Sequence, residues 1–128
     1  MECYWNEVRQ KFGHKKIGDA WTSETILYYI ITSLYPDKKI HRHFRPDFLN
    51  GLELDIFIEE LNLGIEYQGI QHFEPVKYWG GKEAFEKLKK RDKIKEKLCR
   101  ELGITLIYFT YLDELSEEFV LQEIKNSI

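Results

Sequence analysis

Residues 52–73, LELDIFIEELNLGIEYQGIQHF, set acids into two apolar runs of near-alternating pattern, and no other stretch restricts the fold as much. A period of two predicts strands and excludes a helix there. In the first run Leu52, Leu54, Ile56 and Ile58 share one face, while Glu53, Asp55, Phe57 and Glu59 share the other, so Asp55 opposes a core face. In the second, Ile65 and Tyr67 alternate with Glu66 and Gln68 before Gly69, where a missing side chain lets the chain kink or admit a ligand. Asn62 and Gly64 between the runs predict a tight antiparallel hairpin. A turn centred on Leu61 and Asn62 puts Asp55 opposite Gln68 and diagonal to Glu66, within about 5–8 Å. A one-residue slip would exchange the faces. Two adjacent carboxylates repel unless a proton or a cation lies between them. Hard oxygen ligands with open positions suit Mg²⁺, with Mn²⁺ as a substitute. Asp55 and Glu66 are therefore the expected metal ligands, with Gln68 completing or polarising the site.

The flanking sequence supplies further elements. Thr22 and Ser23 offer capping hydroxyls before Ile26, Leu27, Ile30, Ile31 and Leu34, spaced as an amphipathic helix that Pro36 stops. Glu24 sits in its first turn beside the apolar stripe, either complementing the macrodipole or reaching the acidic site. Residues 38–45 predict a basic strand with His41 and His43 on one face. An HxH pair can bind metal, but no third ligand follows at a useful spacing, so a phosphate-facing edge carrying Arg42 and Arg45 is preferred. Pro46-Asp47 and Asn50-Gly51 are turn chemistry. Beyond the hairpin, strand parity puts His72 on the Glu66 and Gln68 face, as a structural ring or as a group that moves protons near neutral pH. Tyr78 and Trp79 fall in a loop, where they could stack on bases or form a lid. Residues 84–102 form the clearest helix, ended by Gly103. Asp92 lies on its apolar side, which is costly unless the carboxylate is paired with a lysine or arginine or bound to an ion. Residues 104–109, ITLIYF, predict a central strand, and 114–128 a last amphipathic helix.

Asp55 followed by Glu66-Tyr67-Gln68 on the next strand resembles the PD-(D/E)xK nuclease signature, with Gln68 where lysine is usual. Pro46-Asp47 lacks a flanking strand, so Asp55 is preferred for the motif's aspartate. The string GIEYQGIQHF, a following helix with Arg91-Asp92 and the strand after Gly103 are similar to one branch, the very-short-patch mismatch-repair endonucleases and related phage homing endonucleases, with an E, D, H, D pattern. Glu24, Asp55, His72 and Asp92 would fill those four places, over roughly residues 22–111. The resemblance implies a restriction-endonuclease-like α/β fold, a mixed sheet flanked by helices, and Mg²⁺-dependent hydrolysis of DNA phosphodiesters. Some restriction enzymes of the superfamily carry glutamine at the lysine position, which leaves the proton-handling role open.

Charge distribution bears on the partner. The 128-residue chain has a net charge of -3, but residues 77–100 hold ten Lys or Arg against four acids, while 113–128 hold five acids and one lysine. Basic Lys82, Lys87, Lys89, Lys90, Arg91 and Lys93 would face DNA phosphate beside the acidic site, or else form a solvated helix face. The length predicts a single domain, with 1–20 as an extension, 22–111 as the core and 113–128 as a terminal helix, acting alone, as a homodimer or in a larger complex. There is no apolar run of membrane-spanning length and no signal peptide, and Cys3 and Cys99 form no CxxC pair, so a cytoplasmic protein of a bacterium or phage is expected. Two rival functions share the fold: a catalytically inactive DNA-binding module, and a structure-selective resolvase or repair subunit.

Overall fold

Thr22 caps the first helix, α1 (Ser23–Leu34), its hydroxyl accepting the Thr25 N–H at 3.2 Å. Ile26, Leu27, Ile30 and Ile31 form the buried stripe that their spacing predicts. Tyr35 ends the helix just before Pro36, whose ring cannot continue it. This computed structural model describes residues 22–75 and 80–128. The 1–20 extension with Cys3, and the loop aromatics Tyr78 and Trp79, lie outside the described residues.

Strands β1 (Ile40–Phe44), β2 (Leu54–Ile58) and β3 (Leu63–Gln68) pair antiparallel in sequence order. Helix α2 (Gly81–Glu101) then crosses over, and β4 (Thr105–Thr110) joins β3 in parallel. Helix α3 (Glu117–Ser127) follows. The fold is thus mixed α/β, a four-stranded mixed sheet with helices on both faces. Ile56, Ile58, Leu63, Ile65 and Phe109 pack against Ile30 of α1 and Val120 and Ile124 of α3 in one core. Leu49, Leu54, Phe57, Cys99 and Ile104 form a second core beneath α2.

Two expectations need correcting. Strand β4 lies at the sheet edge, not in its centre. Its continuous apolar run reflects helices over both faces, which leave all of its side chains buried or half-buried whether or not a second strand pairs with it. The β2–β3 register also differs, since Ile58 pairs with Leu63 and Ile56 with Ile65. A 3₁₀ turn, Glu59–Leu61, and left-handed Asn62 at φ 49° make the connection, displacing the register by two residues from one centred on Leu61 and Asn62. An even displacement preserves the faces. One step further along this register, Asp55 meets Glu66 where Gln68 was expected.

The Asn62 side chain donates to the Gly103 carbonyl at 2.8 Å, tying the hairpin turn to the α2–β4 connection. Gly103, at φ +75°, lets the Ile104 N–H reach back to the Cys99 carbonyl at 2.9 Å and closes α2.

Candidate active site

The β2–β3 ladder stops at Ile56 and Ile65, and the next two side chains take over its hydrogen bonds. The Asp55 N–H donates to Glu66 Oε2, and the Tyr67 N–H donates to Asp55 Oδ2, each at 2.8 Å. Each carboxylate satisfies a backbone donor as the strands part. Strand β3 meanwhile continues along β4 as far as Gln68 and Thr110. The fork opens into a cleft of about 550 Å³ lined by Glu24, Asp55, Glu66, His72, Asp92 and Lys95, with Arg45 and Arg91 at its wall. Five of the six expected catalytic residues therefore meet in one place. Gln68 is the exception. Its carbonyl accepts from the Tyr111 N–H at 3.0 Å, and its side chain is not among those lining the cleft.

Lys95 was not singled out in the sequence, yet its Nζ lies 2.5 Å from Glu66 Oε1, with the lysine side chain 12% and the glutamate side chain 8% exposed. Leu88, Asp92, Lys95 and Cys99 fall on one stripe of α2, spaced by three or four residues, and that stripe faces the sheet. Asp92 revealed the polar break in the stripe; Lys95 one turn on was hidden among the other lysines. Both oxygens of Glu66 are thereby engaged, one by the Asp55 N–H and one by Lys95.

The acids hold their protons more tightly than usual. Burial raises Glu66 to about 7, the Asp55 charge adds to the rise, and Lys95 opposes it. Burial also raises Asp55, against the Tyr67 N–H and Lys95, which lower it. Glu24 is raised by burial and then by Asp55, with His43 and Arg42 pulling the other way. Negative charge is concentrated here beyond what Lys95 offsets, and Glu24 Oε1 is buried with no hydrogen-bond partner.

His72 reaches the cleft by a route that strand parity does not describe. Strand β3 ends at Gln68, and a 3₁₀ turn, Ile70–His72, carries the ring across to α2. There His72 Nδ1 lies 2.9 Å from Asp92 Oδ2, both side chains 16% exposed. Asp92 is thus paired with a histidine, not with the lysine or arginine considered from sequence.

The two histidines of β1 also separate. His41 contacts Glu59 through Nε2 at 3.4 Å and packs on Phe44. His43 has a left-handed backbone, φ 51°, and its ring stands between Glu53 and Glu24. Its Nδ1 lies 3.0 Å from Glu53 Oε1, and its Nε2 lies 3.5 Å from Glu24 Oε1. Arg45 holds the other Glu53 oxygen at 2.8 Å, and this hydrogen bond keeps the Glu53 carboxyl below its ordinary range.

Lys82, Lys87, Lys90, Arg91 and Lys93 are exposed on α2, with Lys87 3.8 Å from Glu83. Lys89 is half-buried, its ammonium 5.3 Å from the Phe73 ring centre and 5.6 Å from that of Phe85. Arg42, expected on phosphate, instead clamps β1 to α1: it donates to Thr25 Oγ1 at 2.8 Å and stacks 4.9 Å over Tyr28.

Similar proteins occur in viruses. The chain is 40% identical over 86 residues to the uncharacterized protein 094L of Frog virus 3 (isolate Goorha), covering 65% of this chain and 56% of that one. It is 38% identical over 79 residues to the uncharacterized protein 307L of Invertebrate iridescent virus 6, covering 52% and 40%. It is 36% identical over 91 residues to the uncharacterized protein 033L of Invertebrate iridescent virus 3, covering 64% and 47%. The chain thus spans about half the length of the relatives it matches. No family model matches the sequence. No solved structure matches it. The viral relatives agree with the viral part of the expected origin and not with a bacterial one. Among the described residues no helix is long and apolar enough to cross a membrane.

Proposed function

We propose that this chain is a divalent-metal-dependent DNA endonuclease with a restriction-endonuclease-like fold. One observation carries the reading: a buried carboxylate, Glu66, and a half-buried one, Asp55, exchange hydrogen bonds with each other's strands at a fork, with Lys95 on Glu66 and the His72–Asp92 pair in the same cleft. The donor set fits a hard dication, because Glu24 Oε1 is buried without a hydrogen-bond donor and faces Asp55 across the cleft. Asp55 would be the principal ligand and Glu24 the second, in place of the expected Glu66, whose two oxygens are taken by the Asp55 N–H and Lys95 and which fixes both groups. Mg²⁺ or Mn²⁺ held there supplies Lewis-acid polarisation of the phosphate and of the attacking water.

The remaining residues orient, attract and move protons. Lys95, nearly dry and pinned by Glu66, places a fixed positive charge where the phosphodiester enters. It occupies the role that the resemblance gives to a lysine at position 68. Asp92 accepts the Nδ1 proton of His72, which fixes the tautomer and leaves Nε2 to exchange a proton within the cleft. As water attacks phosphorus and the ester P–O bond breaks, His72 Nε2 would take the proton lost by water, and a solvent water would protonate the departing oxygen on the opposite side. The exposed α2 cations and Arg45 attract the polyanion.

Supercoiled plasmid incubated with the chain and MgCl₂ or MnCl₂ tests the reading. Nicked circles that disappear with EDTA support it. DNA binding without any cleavage, on duplexes, mismatches and four-way junctions alike, contradicts it and favours an inactive binding module. Cleavage restricted to junctions or mismatches retains the chemistry and assigns the chain to structure-selective repair.

A further inference from the structure

We propose that Glu24, His43 and Asp55 together bind one first-row transition-metal dication, with His43 Nε2 as a nitrogen ligand, so that the cleft takes Mn²⁺ or Co²⁺ ahead of Mg²⁺. The inference deepens the nuclease reading and rests on it for what the ion does, though not for whether the ion binds. The three side chains come from α1, β1 and β2, and one ligand atom from each lies within 4.8 Å of the others. Three donors each about 2.2 Å from one ion stand at most about 3.8 Å apart when evenly spread, so closing the group needs a contraction of at most about 1 Å at its widest pair.

Proton accounting points to a cation. Glu53 Oε1 is an acceptor only, so His43 Nδ1, 3.0 Å away, carries the shared proton. In the neutral ring Nε2 is then a lone pair, and it faces Glu24 Oε1, a second lone pair, at 3.5 Å. Two acceptors facing each other repel unless something positive lies between them. A proton on the ring or on Glu24 would join the two atoms by a hydrogen bond, but Glu24 Oε1 has no hydrogen-bond partner. A metal ion satisfies both atoms, and Asp55 adds its charge from β2.

The backbone supports the same assignment. β1 pairs with β2 from Ile40 through Arg42 and again at Phe44, and the interrupted position is His43, at φ 51°, whose register partner is Asp55. Left-handed conformation is uncommon for a residue other than glycine, and here the ring stands between Glu24 and Glu53, both of which line the cleft. Glu53 behind the ring, itself held by Arg45, forms the carboxylate–histidine arrangement that orients metal-bound imidazoles. Imidazole suits the first-row transition metals, with affinity rising from Mn²⁺ to Co²⁺, whereas Mg²⁺ prefers oxygen and retains its water; the mixed set of two carboxylates and one imidazole is one that Mn²⁺ and Co²⁺ both accept.

Calorimetric titration of the full chain with MnCl₂, CoCl₂ and MgCl₂ tests this, beside a His43→Asn variant. Asparagine adopts left-handed backbone readily and offers an oxygen in place of the nitrogen. The expected result is one Mn²⁺ per chain, bound at least tenfold more tightly than Mg²⁺. In the variant Mn²⁺ should weaken at least tenfold while Mg²⁺ changes less than threefold. An unchanged Mn²⁺ to Mg²⁺ ratio overturns the proposal. Pulsed EPR of the Mn²⁺-loaded chain decides independently of that variant's folding: nitrogen modulation that persists in His72→Ala supports the His43 ligand, and its absence overturns it. A chain that binds Mn²⁺ in this way yet cleaves no DNA keeps the site and loses the nuclease reading. Cleavage in which His43→Asn leaves the Mn²⁺ to Mg²⁺ preference unchanged does the reverse.

Discussion

Lys95 and Glu66 form an ion pair with little access to water, so each depends on the other. Lys95→Met leaves a buried carboxylate without its cation, which costs about 3 kcal/mol in comparable pairs. Urea denaturation at neutral pH should show a loss of that order, and a Lys95→Met/Glu66→Gln double variant should recover most of it. A loss below about 1 kcal/mol would mean that the pair behaves as a surface contact. Glu66 also sets a pH dependence. Its pKa in the folded chain is about 7 against an ordinary 4.5. Between those values the folded protein holds more protons than the unfolded chain, so stability falls as pH rises. The contribution is complete below about pH 4.5 and lost above about pH 7, with a slope of at most about 1.4 kcal/mol per pH unit. Asp55 and Glu24, raised in the same direction, add to the fall. Denaturation across pH 4.5 to 7.5 without added metal should show this decline, and Glu66→Gln should flatten it. Stability that climbs over that range would contradict the burial argument.

At the scale of elements, α2 joins two tasks on opposite faces. Its inner stripe brings Asp92 and Lys95 to the cleft, and its outer face carries Lys87, Lys90 and Lys93 into solvent. If that outer face meets phosphate, replacing two of these three lysines with glutamine should reduce the slope of log affinity against log salt by about 1 to 2 units. An unchanged slope would make the lysines a solvated face only. Lys89, over two aromatic rings, should matter less to that slope. Alternation at 54–58 was enough to read β2, and the Thr22 hydroxyl, Pro36 and Gly103 marked helix ends, because each acts through its immediate neighbours. The β2–β3 register was not readable, since Asn62 and Gly64 permit turns two residues apart that bury the same faces. His43 was out of reach for a related reason: no residue near it in sequence announces φ 51°, and its companions lie on other elements. Lys95 could have been found by extending the stripe from Asp92 by one turn.

For the whole molecule, the forked sheet is what brings chemistry into a small fold. Two faces of the sheet are covered by helices, so a polar cleft can form only where strands part, and β2 leaves β3 at Asp55 and Glu66. Charges are arranged about that fork, acids within and cations along α2. On the proposed function, cleavage depends on an ion held by Asp55. Asp55→Asn retains the size of the side chain and an oxygen for the Tyr67 N–H while removing the charge, so the fold and most DNA binding should survive. The most direct measurement is plasmid cleavage by the wild-type and Asp55→Asn chains side by side in saturating Mg²⁺ or Mn²⁺. The variant should bind DNA and cut it slower by at least about a thousandfold, or about 4 kcal/mol in the barrier. Cleavage by Asp55→Asn at the wild-type rate would contradict it.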